Sequence, residues 1–457
     1  MNFIYDPPTS NKIKNIKQCI YWHHSAVINQ GIEQTELVLD DGKNDLVDFS
    51  FLVLGDTDSA TEYGRELQEK IAQELLSHID TCSFTLHTGD LVYPFGSSEF
   101  YLNDFMQLYR NVFGNNGHFQ KTDENQIIFN QPFFPIPGNH DYYDLTFLPR
   151  LIAQLSLPLR RWLKSQFGLT IGWDSSYQGK AYAQTFLDCL SQQKLKHNLA
   201  SYLKQHYSAE TKSGKCLRYQ PGKFTRLPNR YYTFRYGGID FFALDSNTFC
   251  YASSSSKKNA DLDIEQLDWL QQKLIDSWNN PQVRGRIIYL HHSPYSTEAS
   301  RYQQSESIIV RRHLRQVFSN VATAINYSSD KRPLVDLILS GHSHCFEYLH
   351  TLDTGYADSH LNWLVCGGSG ADLRPQSKEG GDLMEITSGG YVQMVARSSM
   401  FVGRTGRAKK RRFSHSFLRI DVHKGVPPRL VVRPFLVEQI QGEWVSSAVK
   451  PFVIKGI

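Results

Sequence analysis

Five short apolar runs, each of strand length, end in a tight cluster of polar residues, and this feature most constrains the fold. Four clusters contain a glycine directly before the first polar residue. The clusters are Gly55-Asp56-Thr57-Asp58, Gly89-Asp90-Leu91-Val92-Tyr93, Gly138-Asn139-His140-Asp141, His291-His292-Ser293-Pro294 and Gly341-His342-Ser343-His344. Because ligands bind where the carboxyl ends of strands meet above a sheet, the pattern predicts that these clusters share one site.

Strand-like and helix-like segments alternate along the chain. Runs rich in Val, Ile, Phe and Leu predict buried strands at 47–54, 84–87, 133–136, 239–244, 286–290, 334–339, 361–365, 391–395, 417–422 and 430–437. Apolar residues at helical spacing predict helices at 61–79, 148–167, 181–206 and 264–278. This alternation is typical of a layered α/β fold.

The 457 residues are enough for one large domain or two ordinary ones. We interpret residues 1–45 as an N-terminal extension and residues 46–457 as a single domain. Within that domain, residues 145–226 form a mainly helical insertion that we expect beside the site.

Composition narrows the class of protein. Hydrophobic residues make up 40% and charged residues 21%, which indicates a soluble globular chain. The net charge of +4 does not indicate a nucleic-acid partner, and the basic segment 404–412 is interpreted as a solvated loop. The seven scattered cysteines predict neither a disulfide framework nor a structural zinc site. We see no signal peptide or membrane-spanning stretch, so we expect a cytoplasmic protein without a membrane partner.

The residue types in the clusters indicate metal chemistry. Aspartate, asparagine and tyrosine oxygens together with imidazoles suit Zn, Mn or Fe better than Ca, which takes oxygen ligands only. The candidates are too many for one ion and fit two ions roughly 3.5–4 Å apart, a pair that can clamp a phosphoryl group. The candidate ligands are Asp56, Asp90, Tyr93, Asn139, His292, His342 and His344.

The order Asp…Gly-Asp…Gly-Asn-His-Asp…His…Gly-His-x-His over about residues 48–350 resembles the calcineurin-like metallophosphoesterase superfamily. Three details resemble its purple acid phosphatase branch. These are Tyr93 three residues after Asp90, the strings GNHDYY at 138–143 and GHSHCFEYL at 341–349, and the segment 227–247. The resemblance implies a four-layer α/β/β/α sandwich of two mixed sheets flanked by helices.

The resemblance also implies roles for individual residues. Asp56, Asp90, Tyr93 and His344 would hold the first metal ion, and Asp90 would bridge to a second ion held by Asn139, His292 and His342. His292 is preferred to its neighbour His291, a possible outer-sphere residue, because it stands in the family's His-x-Pro spacing.

Two further residues complete the implied machinery. His140 would act as the general acid that protonates the leaving alcohol, and Asp141 would orient it.

Some positions leave alternatives open. Asp58 stands where purple phosphatases typically have glycine, and it is an extra ligand, an outer-sphere acceptor or a turn residue. Tyr93 is either a metal ligand or a core tyrosine. For His87 and Asp245, packing and turn roles are preferred to metal binding.

The function implied is hydrolysis of phosphate esters by a metal-bound hydroxide at a two-metal site, with phosphomonoesters as the first substrate class. The alternative is a phosphodiesterase acting on cyclic nucleotides, nucleotide diphosphate links or lipids. A non-catalytic phosphate-binding protein ranks last. If Tyr93 is a ligand, the metals would be Fe(III) with Fe(II), Zn or Mn, and otherwise Mn, Zn or Fe. The partner expected is a small phosphorylated substrate.

Overall fold

The computed structural model describes residues 3–43, 46–121, 126–167, 178–193, 199–251, 262–327, 332–370, 372–386, 390–406 and 411–454. Its helices in chain order are α1 (Thr9–Cys19), α2 (Ser25–Ile28), α3 (Glu62–Ile79), α4 (Ser98–Phe100), α5 (Gln107–Phe113), α6 (Asn139–Tyr142), α7 (Phe147–Phe167), α8 (Lys180–Phe186), α9 (Leu190–Gln193), α10 (Leu199–His206), α11 (Ile264–Trp278) and α12 (Ser305–Ala324). A π-helical turn, Tyr101–Met106, joins α4 to α5.

The strands are also numbered in chain order. They are β1 (Ile4–Tyr5), β2 (Ile32–Leu39), β3 (Phe49–Leu54), β4 (Phe84–His87), β5 (Gln120–Lys121), β6 (Ile127–Ile128), β7 (Phe133–Pro135), β8 (Asp144–Leu145), β9 (Ala209–Thr211), β10 (Gly214–Tyr219), β11 (Tyr232–Tyr236), β12 (Ile239–Ala243), β13 (Gly285–Leu290), β14 (Leu337–Ser340), β15 (Phe346–Thr351), β16 (Asn362–Cys366), β17 (Asp382–Ile386), β18 (Val392–Val402), β19 (Arg404–Thr405), β20 (Arg412–Phe413), β21 (His415–His423), β22 (Arg429–Ile440), β23 (Glu443–Ala448) and β24 (Phe452–Val453).

Among the described residues, the larger sheet has eleven strands in the order β17-β18-β15-β16-β14-β13-β12-β11-β2-β10-β9. Its centre, β12-β13-β14-β16, is parallel, with Ala243 opposite Tyr289 and Ile287 opposite Leu337. Every residue of β12, β13 and β14 is buried, as expected for parallel strands that are covered on both faces.

The smaller sheet has seven strands within the same described ranges. Its order is β23-β22-β21-β3-β4-β7, and β24 pairs with β22. The strands β3, β4 and β7 are parallel, so their carboxyl ends lie at the same edge. The remaining strands are antiparallel to their neighbours.

The two sheets face each other across an aromatic layer. Phe51 of β3 and Phe84 of β4 meet Phe241 of β12 edge to face, with ring centroids 5.5 and 5.3 Å apart. On the outer side of the larger sheet, Leu270 and Leu274 of α11 join the sheet's second hydrophobic cluster. The helix α12 packs into the same cluster.

The smaller sheet is covered by α3, whose His78 ring lies 4.3 Å from that of Phe435 in β22, and α3 in turn packs against α5. The layers therefore run helix, sheet, sheet, helix. The predicted four-layer α/β/β/α sandwich is confirmed.

The N-terminal segment contributes to the larger sheet. Strand β2 lies between β11 and β10 and runs parallel to both. The segment 145–226 contains α7 to α10 but also β9 and β10, and residues 168–177 and 194–198 lie outside the described residues. The division into an extension, a domain and an insertion stays a prediction. Of the basic segment 404–412, the part 407–410 lies outside the description as well.

One pair of cysteines is joined. Cys19, at the end of α1, forms a disulfide with Cys189, which precedes α9. The other five cysteines are buried thiols. The sequence predicted no disulfide framework and missed this bond because 170 residues separate the two partners. Disulfides are rare in cytosolic proteins, so the cytoplasmic location stays a prediction.

In the stretches that the structure describes, none of the helices combines the length and the apolar character needed to cross a bilayer.

Candidate metal centre

The carboxyl ends of five strands, three from the smaller sheet and two from the larger one, bring polar side chains together. Asp56 follows β3, Asp90 follows β4, and Asn139 opens the short helix α6 after β7. From the larger sheet, His291 follows β13 and His342 follows β14. All five residues are buried. The convergence predicted from the polar clusters is therefore present.

Three of these residues have a left-handed backbone. The φ angle is 59° at Asp56, 55° at Asp90 and 65° at His342. L-residues adopt this region at a cost, and such strain is concentrated at functional sites. The neighbouring glycines leave the space that these residues occupy, since a Cβ at Gly138 would overlap the Asp90 carboxylate and one at Gly370 would overlap the Asp56 carbonyl.

Tyr93 lies at the centre of a first group of donor atoms. Its hydroxyl is 3.2 Å from Asp56 Oδ1, 3.0 Å from Asp90 Oδ2 and 3.4 Å from His344 Nε2. His344 Nε2 is also 3.6 Å from Asp56 Oδ1. The four residues predicted for one metal ion therefore lie together.

A second group forms around the amide oxygen of Asn139. His291 Nε2 is 2.9 Å and His342 Nδ1 is 3.0 Å from Asn139 Oδ1, and the two nitrogens are 3.3 Å apart. Asp90 Oδ2, which contacts Tyr93, is also 3.4 Å from His291 Nε2. Asp90 thus lies between the two groups, as a bridging ligand would.

The choice of His292 over its neighbour His291 stays a prediction, because both imidazole rings lie beside His342, with centroids 4.5 and 5.0 Å away. The sequence favoured His292 on its His-x-Pro spacing, but the structure brings His291 next to Asp90 and Asn139. Asp56, Asp90 and His291 offer ligand atoms within 4.8 Å of one another. The Nδ1 of His292 is 2.8 Å from the hydroxyl of Ser246, so Nε2 is the ring nitrogen left for a metal ion. Its ring packs on His342, with centroids 4.5 Å apart.

The electrostatics of the protein atoms by themselves favour a bound cation. Burial, with the added effect of Asp90, raises the pKa of Asp56 to about 8. Burial opposes ionisation of Asp90 too, but His291 and His140 hold the pKa of that carboxyl below its usual range. Burial would lower the pKa of His291, yet Asp90 outweighs it and raises it to about 9. A cation bound between two buried carboxylates would stabilise their charged forms.

The remaining donors fit the same interpretation. Burial lowers the pKa of His344 to about 4, so its imidazole is in the neutral form that binds metals. The buried Nε2 of His342 has no hydrogen-bond partner among the described residues. Burial and the two carboxylates raise the pKa of Tyr93 well above its ordinary value, so only a strongly acidic cation would make it a tyrosinate ligand. The donor set fits two ions of the Zn, Mn or Fe type.

His140 stands at the rim of this group. Its Nδ1 is 2.8 Å from the carbonyl oxygen of Pro94, and its backbone N–H donates to Asp90 Oδ1 at 2.8 Å. The ring packs between those of Tyr93 and Tyr143, with centroids at 4.2 and 4.7 Å. The contact with Pro94 fixes the ring orientation.

The predicted role of Asp141 is corrected. Its carboxylate does not orient His140. Instead Oδ2 accepts hydrogen bonds from the backbone N–H groups of Gly138 at 2.7 Å and Asp90 at 3.0 Å, and Oδ1 accepts from Tyr101 at 2.6 Å. Burial, reinforced by Asp90, raises the pKa of Asp141 to about 7. Asp141 therefore positions the loop that carries Asp90.

Three other positions have structural contacts. Asp58 Oδ1 accepts from the backbone N–H of Ala60 at 2.8 Å, which is the turn role left open for it. His87 contacts the hydroxyl of Thr57 at 3.1 Å. Asp245 accepts from the Tyr142 hydroxyl at 2.8 Å and from Arg230 at 2.9 Å, within the turn before Ser246.

Arg301 lies beside the site and was missed from the sequence. Its Nε donates to the carbonyl oxygen of His342 at 3.1 Å, and 23% of its side chain is exposed. After burial, its charge is the largest influence that lowers the pKa of His342. Arg301 follows no strand and belongs to no motif, so no local signal could have identified it.

A family comparison agrees with this geometry. The sequence model of the calcineurin-like phosphoesterases matches residues 49–346, which is more than half of the chain. The chain belongs to the calcineurin-like phosphoesterase family. The matched region begins at β3 and ends at the start of β15, so it includes all five strand ends that form the site. Among curated proteins, no sequence matches this calcineurin-like chain.

Solved structures with a similar course of the chain have low sequence identity. The purple acid phosphatase PPD1 from yellow lupin (Lupinus luteus) seeds is 13% identical with a TM-score of 0.46, and the alignment covers 91% of this chain and 54% of the lupin chain. This chain thus spans about half the length of that protein. GAP50, described as the anchor in the inner membrane complex of Plasmodium, is 14% identical with a TM-score of 0.41, covering 89% and 90%. PhoD is 13% identical with a TM-score of 0.42, covering 91% and 70%.

Proposed function

We propose that this protein is a two-metal phosphoesterase that hydrolyses small phosphate monoesters. The observation that carries the proposal is the position of Asp90 Oδ2, which contacts both Tyr93 at 3.0 Å and His291 at 3.4 Å. In this assignment Asp56, Tyr93 and His344 complete the first metal site, and Asn139, His291 and His342 complete the second. When bound, such a pair of ions supplies a nucleophile at neutral pH and neutralises charge on the phosphoryl group.

The protein's own residues bind and orient the ester. Arg301 is the cation beside the second group of ligands, and its guanidinium is suited to phosphoryl oxygens because it presents several donors in a fixed fork. Tyr93 belongs to the first group of ligands, and the ring of His140 packs against it. A cavity of about 520 Å³, lined by Tyr93, Pro94, Phe100 and others, offers room there for the leaving group.

His140 protonates the leaving alcohol in this mechanism. Its Nδ1–H donates to the carbonyl oxygen of Pro94, which leaves Nε2 as the nitrogen that can give up a proton. Tyr93 and Tyr143 hold the ring on its two sides. A general acid in this position accelerates a reaction most when the leaving group is a poor one.

The test of the proposed function is elemental analysis of the purified protein, coupled to parallel assays on a phosphate monoester and a phosphate diester. We expect about two metal ions per chain and faster turnover of the monoester. Preferential turnover of diesters would favour the alternative substrate class. A protein that binds no metal would overturn the proposal.

Replacing Tyr93 by phenylalanine tests the identity of the metal. If ferric iron occupies the first site, the tyrosinate should give a visible charge-transfer band that colours the protein. We expect Tyr93→Phe to lose this band while its far-ultraviolet circular dichroism stays unchanged. Iron-loaded wild-type protein without the band would show that Tyr93 is not a ligand.

Replacing His140 by glutamine tests the general acid. We expect a loss of about a hundredfold in kcat on an alkyl phosphate and a much smaller loss on p-nitrophenyl phosphate, whose leaving group needs no proton. The control is Tyr143→Phe, which keeps the ring against His140. Equal losses of His140→Gln on both esters would contradict the assignment.

A further inference from the structure

One helix of the segment after the Asn139 cluster has an apolar face that is turned to solvent. Six residues of α7 are between 53% and 75% exposed. We call them the apolar stripe: Phe147, Leu148, Ile152, Leu155, Leu159 and Trp162. At 3.6 residues per turn the six side chains fall within about 140° of the helix circumference, so they form one continuous face.

The opposite side of α7 holds the helix on the protein. Ala153 is 1% exposed and packs with Phe95 and Leu145. Arg160 is buried on the same side and pairs with Glu99 at 3.4 Å. The apolar stripe is therefore not the face by which α7 packs on the protein. It is a second, outer apolar face.

The apolar surface continues beyond the helix. Phe3 is 58% exposed, and its carbonyl oxygen accepts a hydrogen bond from the backbone N–H of Thr146 at 2.9 Å. Phe3 therefore lies at the start of α7, next to Phe147. Large exposed apolar patches of this kind are typical of interaction sites.

The charges of α7 indicate which partner fits. Residues 147–167 contain four basic residues, Arg150, Arg160, Arg161 and Lys164, and no acidic one. Arg150 pairs with Asp144 and Arg160 pairs with Glu99, and even with these two acidic partners counted the four basic residues leave a positive formal charge. A helix with Phe, Leu and Trp along one face and only basic charges is typical of segments that lie in the plane of a membrane surface.

We propose that α7 docks this protein on an anionic phospholipid surface, with the apolar stripe inserted among the acyl chains and headgroups. That none of the described helices could span a membrane does not bear on this, because a surface helix lies parallel to the bilayer. Docking is a property of α7 and does not depend on the proposed function.

The docked helix is directly connected to the candidate metal centre. It begins seven residues after His140, and Ala153 packs on Phe95, the neighbour of Pro94, whose carbonyl oxygen contacts His140 Nδ1. If the proposed function holds, phosphate esters at the membrane surface are within reach of the site, and lipid phosphoesters become a substrate class.

The test is flotation of the full-length protein with vesicles of phosphatidylcholine alone or of phosphatidylcholine with phosphatidylserine. We expect the wild type to float with the phosphatidylserine vesicles and only weakly with phosphatidylcholine. The double variant Leu148→Glu/Leu155→Glu should bind at least about tenfold more weakly, since two apolar anchors are lost.

A matched control carries the same charges elsewhere. Ile386→Glu/Val392→Glu changes two residues that are 76% and 65% exposed, and it should bind like the wild type. A blue shift of tryptophan emission on vesicle binding, absent in Trp162→Phe, gives a second readout. His291→Ala should still float, so a failure of catalysis is distinguishable from a failure of docking.

Two outcomes would overturn the proposal. One is wild-type protein that does not float with either kind of vesicle. The other is equal binding by Leu148→Glu/Leu155→Glu with unchanged circular dichroism. A dimer that dissociates in that double variant, without any vesicle binding, would assign the stripe to a second copy of the chain instead.

Discussion

Replacing His291 by alanine is expected to lower kcat/KM on a phosphate ester by roughly 10³- to 10⁴-fold, because the second metal ion loses a ligand and several kcal/mol of transition-state stabilisation. His291 Nε2 is 2.9 Å from Asn139 Oδ1 and 3.4 Å from Asp90 Oδ2. Replacing His291 therefore removes a donor atom next to Asp90, the residue that the two ligand groups share. We expect the metal content of the variant to fall from two ions to one.

The matched variant is His292→Ala at the adjacent position. His292 contacts Ser246 and packs on His342, so its loss should reduce stability more than chemistry. We expect its kcat/KM to stay within about tenfold of the wild type, the range typical for a residue that supports a ligand without binding the metal. Metal content by elemental analysis and steady-state kinetics measure both variants. A larger loss in His292→Ala than in His291→Ala would support His292, the choice made from the sequence, as the ligand.

Replacing Arg230 by methionine is expected to lower the free energy of unfolding by about 3–5 kcal/mol. Arg230 is 1% exposed and is bonded to Asp245 at 2.9 Å and to Asp263 at 2.5 Å. Burial alone would lower the pKa of Arg230, but the two carboxylates raise it above its ordinary value. Methionine keeps much of the volume but leaves two buried carboxylates without their cation.

The control for this prediction is Arg235→Met. Arg235 also pairs with an aspartate, Asp240, at 2.6 Å, but 39% of its side chain is exposed. Exposed pairs contribute up to about 1 kcal/mol, so this variant should be close to the wild type. Urea-induced unfolding followed by circular dichroism measures both. Equal losses in the two variants would contradict the role of the buried pair.

The buried ion pair of Arg230 also lies next to the turn that contacts the candidate metal centre. Asp245 precedes Ser246, whose hydroxyl holds His292 at 2.8 Å. We therefore expect Arg230→Met to alter the site only through the turn that contains Ser246. Metal content that remains at the wild-type level in the folded variant would agree with this.

Local patterns were sufficient for the architecture. The run 84–87 is strand β4 as predicted, and 264–278 is helix α11 as predicted. In both, the spacing of apolar residues follows the geometry of one element and needs no knowledge of its neighbours. The run 181–206 was predicted as one helical stretch, but the structure has three separate helices there, α8, α9 and α10, with residues 194–198 outside the described part.

Local sequence patterns could not predict which distant segments pair with each other in the fold. Strand β2 pairs with β10 and β11, more than 170 positions away, and this made residues 32–39 look like part of an extension. The disulfide between Cys19 and Cys189 was missed for the same reason, since its partners are 170 residues apart. Arg301 belongs to the site only because its side chain reaches the carbonyl oxygen of His342.

By itself the sequence determined that Asp56, Asp90, Tyr93, Asn139, His342 and His344 would meet, since each belongs to a polar cluster at a predicted strand end. The family match over residues 49–346 agrees with this order. Only the tertiary structure shows that His291 lies next to Asn139 and Asp90. Adjacent residues at the end of a strand point to opposite sides, and which side contains the site depends on how the two sheets pack. The tertiary structure also decided that the Asp141 carboxylate accepts a hydrogen bond from the backbone N–H of Asp90. His140 Nδ1 contacts the carbonyl oxygen of Pro94 instead.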